Sequence, residues 1–125
     1  MKNRSLQGLL AVALWVAAAA PAWAQIKIGQ TSSFTGPVAS GVKEGTDGAR
    51  LYLSAINERG GVNGQQIELI SLDDKFDAKL AAENAQKLIS QGAVALFFSR
   101  GTPQAQAIMP VLDKNKVPLI GPSTG

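Results

Sequence analysis

The chain has 125 residues, with 12 Lys and Arg against nine Asp and Glu, a net charge of +3, and neither His nor Cys. Those absences exclude a histidine-based catalytic triad, a thiolate nucleophile, the common zinc-ligand sets and disulfide support. The basic residues are scattered, without a Lys/Arg cluster or interleaved aromatics, so nucleic acid is not a partner the composition suggests.

In chain order, Lys2 and Arg4 make a basic start, Leu6 to Ala20 is an almost unbroken apolar run, and Ala22-Trp23-Ala24 has small residues where a signal peptidase needs them. This predicts a cleaved signal peptide over residues 1–24 and a mature chain that begins at Gln25. A membrane anchor fits less well. The run falls short of the ~20 apolar residues of a spanning helix, and Pro21 interrupts it. No Cys is present to carry a lipid, so the expected product is soluble and periplasmic. Loss of Lys2 and Arg4 leaves ten basic residues against nine acidic ones, a net charge of +1. The roughly 100 residues that remain can form one compact domain stabilised by its core.

The mature chain alternates in period. Ile26 to Thr31 reads as a strand; Val38 to Glu58 reads as a helix with Ala49, Tyr52, Leu53 and Ile56 on one face. Gly60-Gly61-Val62-Asn63-Gly64 ends that helix, because glycine accepts the left-handed conformation at a helix C-terminus. Ile67 to Leu72 is a second strand, and Ala78 to Gln91 a second helix with Ala81, Ala85, Leu88 and Ile89 inward. Ala93 to Phe98 is the apolar run of a strand covered on both faces. A third helix carries Ala105, Ile108, Met109 and Leu112, and Val117 to Ile120 is a fourth strand.

Such alternation predicts an α/β fold with a doubly wound parallel sheet. Right-handed crossovers put helices on both faces and gather the loops beyond the carboxyl ends of the strands, where ligands bind. Candidate functional residues therefore follow Thr31, Leu72, Phe98 and Ile120. Three of those loops are polar and glycine-rich: Ser32 to Pro37, Ser99 to Pro103, and Gly121 to Gly125. Thr102 is positioned as a helix N-cap with Pro103 as first helical residue. That helix start favours an anionic group such as a carboxylate. Ser33, Ser99, Ser123 and Thr124 can add hydroxyl contacts, although ordinary caps and turns use the same residues.

Two sharper motifs fail. Gly36 to Gly41 has the glycine spacing of a phosphate loop, but Val42 stands at the Lys position and Lys43 at the Ser/Thr position. Asp73-Asp74 resembles part of the acidic pocket of a receiver domain, which needs its acidic pair after the first strand, where this chain has Gln30-Thr31-Ser32-Ser33. A solvated turn, or a cap for the second helix, is the better reading of the pair.

The ordered set Gly36-Pro37, Gly48-Ala49, Ile56-Asn57, Gly60-Gly61-Val62-Asn63-Gly64 and Leu72-Asp73-Asp74 resembles the opening of the leucine/isoleucine/valine-binding protein family. Gly101-Thr102-Pro103 and Lys116-Val117-Pro118-Leu119-Ile120-Gly121-Pro122 extend the similarity over essentially the whole mature chain. The family comprises periplasmic substrate-binding proteins of branched-chain amino-acid-type ABC transporters. The resemblance implies that residues 25–125 are the N-terminal part of lobe one of a type I periplasmic binding protein. It implies a small-molecule ligand, an amino acid or related carboxylate or amide, passed to a membrane permease. It also implies no cofactor, no enzyme activity, and a monomer at full length. Carried over from the family, the ligand's polar groups would meet Gly101, Thr102, Ser123 and Thr124, with Ser99 in the same loop and Ser33 and Phe34 lining the cleft.

This sequence departs from the family pattern at Ser99-Arg100-Gly101-Thr102, which lacks the serine run of the branched-chain amino-acid binders. Arg100 is read as a rim residue, with pairing to an acidic ligand group as the alternative. Family members also continue past this point into a second lobe, so residues 25–125 alone are expected to bind weakly or not at all, with the last strand at a sheet edge. The alternatives to a transport receptor are the ligand-binding ectodomain of a sensor, or a truncated remnant without function.

Overall fold

The computed structural model describes residues 25–124. The signal peptide expected over residues 1–24 lies outside the described residues. The order of elements is β1 (Ile26–Ser32), α1 (Ala39–Glu58), β2 (Ile67–Asp73), α2 (Ala78–Ser90), β3 (Ala95–Phe97), α3 (Thr102–Asn115) and β4 (Leu119–Ile120). Every expected element is present. The last two strands are shorter than the apolar runs that announced them. Phe98 takes a φ of 52° and so ends β3 one residue before the run does.

All four strands are parallel in the order β2-β1-β3-β4, which leaves β4 at an edge among the described residues. The register pairs Ile26 with Ile67, Ile28 with Ala95 and Leu96 with Leu119. α2 and α3 share one face of the sheet, where Ala81, Ala85, Leu88, Ile108 and Leu112 close over Ala93 and Leu96 to form the core. Alanines at 81 and 85 let α2 approach closely, and Gly29 continues that fit on the strand. A Cβ there would stand 2.6 Å from Leu96 Cδ2 and 3.0 Å from Leu88 Cβ.

α1 covers the opposite face through a polar contact. Gln30, fully buried, donates from Nε2 to Thr46 Oγ1 (2.9 Å) and accepts from Ser71 Oγ (2.9 Å) through Oε1. Arg50 Nη2 in turn donates to Ser71 Oγ (2.9 Å). Val42 and Thr46 are the buried residues of α1. The expected inward face is only half-formed: Ala49, Leu53 and Ile56 are partly covered, whereas Tyr52 is 67% exposed. On α3, Met109 is likewise 44% exposed, since Ile108 and Leu112 take the core positions.

α1 ends in a Schellman arrangement, with Gly61 N–H donating to Ile56 O (3.0 Å), Gly60 N–H to Asn57 O (3.0 Å), and Gly60 at a φ of 101°. α2 begins at an N-cap, Asp77, whose Oδ1 accepts from Leu80 N–H (2.7 Å). Both helices run back across the sheet, so the loops that follow the strands collect at one edge.

The tight seat under Gly29 sets a test. Gly29→Ala is expected to destabilise the fold by about 1–3 kcal/mol through overpacking, measured by urea unfolding. Combined with Leu96→Ala, it should cost less than the sum of the two single changes, because the shortened side chain vacates the space. Strict additivity would refute the close packing.

Candidate functional site

The carboxyl edge of the sheet is polar where a sheet interior is usually apolar. Gln30, Thr31, Ser32 and Ser33 at the end of β1 are all at most 1% exposed, and so is Asp74 just beyond β2. Asp74 accounts for much of this. Its Oδ1 accepts from Ser33 Oγ (2.7 Å) and Phe76 N–H (3.0 Å), and its Oδ2 accepts from Thr31 Oγ1 (3.3 Å). Its own N–H donates to Ser32 O (3.1 Å). Asn84 of α2 completes the cluster, donating from Nδ2 to Thr31 Oγ1 (3.3 Å) and to the main-chain oxygen of Asp73 (3.0 Å).

Asp73 works on the outer side of the same junction. Its Oδ1 accepts from the N–H groups of Phe34 (2.9 Å), Thr35 (3.3 Å) and Lys75 (2.9 Å), and its Oδ2 accepts from Thr35 Oγ1 (2.6 Å). The pair is therefore neither a solvated turn nor the cap of α2, which is Asp77. The two carboxylates bind the loop after β1 to the loop after β2. The sequence reading missed this because the partners lie about forty residues away.

Their titrations diverge. Burial pushes the Asp74 carboxyl above its ordinary 3.8; bonds from Ser33, Phe76 and Thr31 only partly offset it, and the charge of Asp73 adds to the rise. Burial also pushes Asp73 upward, but the bonds from Thr35, Lys75 and Phe34 together outweigh it and hold that carboxyl below its ordinary value.

The second half of the edge joins the loops after β3 and β4. Ser123 N–H donates to Ser99 O (2.8 Å), Gly101 N–H donates to Ser123 O (3.0 Å), and Arg100 Nη1 donates to Ser123 Oγ (2.7 Å). Arg100 is exposed, as expected of a rim residue, and it is engaged with Ser123. The start of α3 differs from expectation by one position. Gly101 is the N-cap at φ 100°, ψ 138°, Thr102 is the first helical residue, and Pro103 follows it. The main chain needs a positive φ there that threonine resists. A Cβ on Gly101 would also collide with Gln104 Oε1 and lie 3.0 Å from the Phe76 ring.

The expected site residues thus separate into two groups. Ser99, Gly101, Thr102, Ser123 and Thr124 lie together on the loops after β3 and β4; Ser99 is buried, and Thr102 and Thr124 are exposed. Ser33 and Phe34 belong to the junction after β1: Ser33's hydroxyl is committed to Asp74, and Phe34's N–H to Asp73. Gln104 connects the groups, since its Nε2 donates to Phe76 O (2.8 Å) across the two loops. Sequence reasoning missed Gln104 and Phe76. The one available signal was a polar residue at the third position of an otherwise apolar-striped helix. Three side-chain oxygens or hydroxyls at this edge are buried without a hydrogen-bond partner: Ser32 Oγ, Ser99 Oγ and Gln104 Oε1. Among the described residues no group of three acidic, His or Cys side chains is placed to hold a metal ion.

Chemically, the edge offers a helix start with its partial positive charge, hydroxyls and strapped main-chain amides. That equipment is chemically suited to small polar groups. The family model described as periplasmic binding protein matches residues 25–125. The chain belongs to this family. A relative, the Leu/Ile/Val-binding protein homolog 7 of Brucella abortus, is 38% identical over 110 residues, 87% of this chain and 27% of its own length. Among solved structures, the branched-chain amino acid transporter substrate-binding protein of Streptococcus pneumoniae in complex with isoleucine has 31% identity and a TM-score of 0.75, covering 81% of this chain and 29% of that one. The solute-binding protein of an ABC transporter from Rhodopseudomonas palustris, in complex with 3,4-dihydroxybenzoic acid, has 30% identity and a TM-score of 0.70, covering 81% and 28%. The family's members are substrate-binding proteins, and the chain spans about a quarter of the length of these relatives.

The diverging carboxylates give a pH test. Asp74, raised in the fold, contributes stability that is fully present below its unfolded value of 3.8 and is lost as pH rises through the folded value. Asp73, lowered, contributes stability present above 3.8 and lost as pH falls through its folded value. Asp74→Asn should therefore gain stability relative to the parent as pH rises from 3.8 through the raised folded value, whereas Asp73→Asn should lose stability relative to the parent as pH rises toward 3.8 from below and then run parallel to it, both followed by urea midpoints. Asp74→Ala should cost about 3 kcal/mol by orphaning buried donors. A flat response in both Asn variants would contradict the assignment.

Proposed function

We propose that this chain forms the first part of the ligand-binding lobe of an exported solute receptor, which carries an amino acid or related small carboxylate to the permease of an ABC transporter. The observation that carries the reading is the paired strap between the loops after β3 and β4. Ser99, Gly101 and Ser123 exchange main-chain bonds directly beside the start of α3. This fixes a helix N-terminus against a second loop, and a carboxylate seated there meets positive partial charge and hydroxyls with little further ordering.

On this reading Gly101, Thr102, Ser123 and Thr124 contact the ligand's polar head, and Ser99 supports them from below. Ser33 and Phe34 shape the neighbouring wall without spare polar groups of their own. The ligand class follows the relatives: isoleucine and 3,4-dihydroxybenzoic acid, bound by the two solved proteins, share a carboxylate and little else. A clamshell receptor encloses its ligand between two lobes, so one edge alone gives weak affinity. Export to the periplasm, through a signal peptide cleaved before Gln25, belongs to the same reading.

Two measurements test it. Titration of the 15N-labelled chain with isoleucine and with 3,4-dihydroxybenzoate should move the Gly101, Thr102 and Ser123 amides saturably at millimolar ligand, whereas isoleucinol, in which an alcohol replaces the carboxylate, should not. Shifts confined to other surfaces would sink the proposed site. The intact mass of the product from a periplasmic extract should begin at Gln25, and retention of residues 1–24 would refute cleavage.

A further inference from the structure

Phe76 stands out among the exposed side chains of this edge. Its side chain is 41% exposed, yet its backbone is held on both sides by buried groups. The N–H donates to Asp74 Oδ1 (3.0 Å) and the C=O accepts from Gln104 Nε2 (2.8 Å); Asp74 is 0% and Gln104 2% exposed. Phe76 also sits at a φ of 62°, after Lys75 at 53°. A positive φ is strained for a bulky residue and persists only where surrounding bonds hold the backbone. An ordinary exposed phenylalanine needs no such support.

The strain has a geometric result. It turns the ring onto the outer face of Gly101, where a Cβ would stand 3.0 Å from Phe76 Cε2. The ring and the buried Gln104 amide, whose Oε1 has no partner, thus both pack against the Cβ face of Gly101. A polar head seated at the start of α3 would have its adjoining atoms beside an apolar ring whose backbone is held at both N–H and C=O.

We infer that Phe76 is a specificity-determining wall of the binding site, set against the group that the ligand carries next to its carboxylate. This rests on the reading that the start of α3 receives that head. Gln104 acts as a positioning residue, holding the carbonyl that sets the ring's direction.

The probes are L-leucine, L-phenylalanine and glycine, titrated into the 15N-labelled chain. In the parent, leucine and phenylalanine should bind more tightly than glycine. Phe76→Ala should weaken the first two by about tenfold, the scale of one lost apolar contact, and leave glycine within about twofold. Phe76→Leu should restore the leucine response. Ligand-filtered NOEs between the parent's Phe76 ring protons and the leucine methyls provide a readout that does not depend on the variants folding. Absence of those NOEs, or equal weakening of all three probes by Phe76→Ala, overturns the inference while the α3 site stands. If none of the probes moves the Gly101 and Thr102 amides of the parent, the reading of the α3 start fails and this inference fails with it.

Discussion

The buried carboxylate of Asp74 is the contact on which the carboxyl edge of the sheet depends. A parallel sheet ends in loops that share no ladder, and here two of those loops leave from neighbouring strands, β1 and β2. An ionised carboxylate has two acceptor oxygens and no donor, so it can collect hydroxyls and N–H groups from both loops at once. Asp74 does so with Thr31, Ser33 and Phe76. Burial of the charge is costly, and removal of one side of such a cluster costs more than the cluster contributes, because the remaining groups stay buried without partners. The junction is therefore rigid, and it tolerates change poorly.

The Gln104 amide ties that junction to the loops after β3 and β4. Gln104 is on α3, and its bond to Phe76 O crosses from the β3 side of the edge to the β2 side. Positive φ angles at Lys75, Phe76 and Gly101 lie on either side of this bond. Strain of this kind persists only where surrounding bonds over-determine the backbone. A receptor benefits from loops ordered in advance, since ordering them on binding would reduce affinity.

Much of the architecture is legible in the amino-acid order, and the exceptions have physical reasons. α2 is read correctly down to its inward residues, because Ala81, Ala85 and Leu88 pack against a sheet face that the chain itself supplies. Tyr52 and Met109 belong to the same kind of apolar stripe but stay exposed, since periodicity gives a direction and not the presence of a covering surface. Gly101 in place of Thr102 as the N-cap turns on a φ that no propensity scale resolves. The loops after β3 and β4 could be named as candidates from topology alone. The roles of Asp74, Asn84 and Gln104 could not, because each depends on a partner far away in the sequence. A polar residue is ambiguous until its partner is known.

The buried Gln30 has a consequence for how the sheet forms. Its amide is satisfied only when Thr46 of α1 and Ser71 of β2 stand on either side of it, and Gln30 and Ser71 are direct neighbours in the parallel register. A slip of β2 by one residue would set Ile70 or Leu72 opposite the amide and leave its oxygen dry and unmatched. One polar residue in the middle of β1 thus ties the alignment of β2 to the seating of α1, so that register and helix position are specified together.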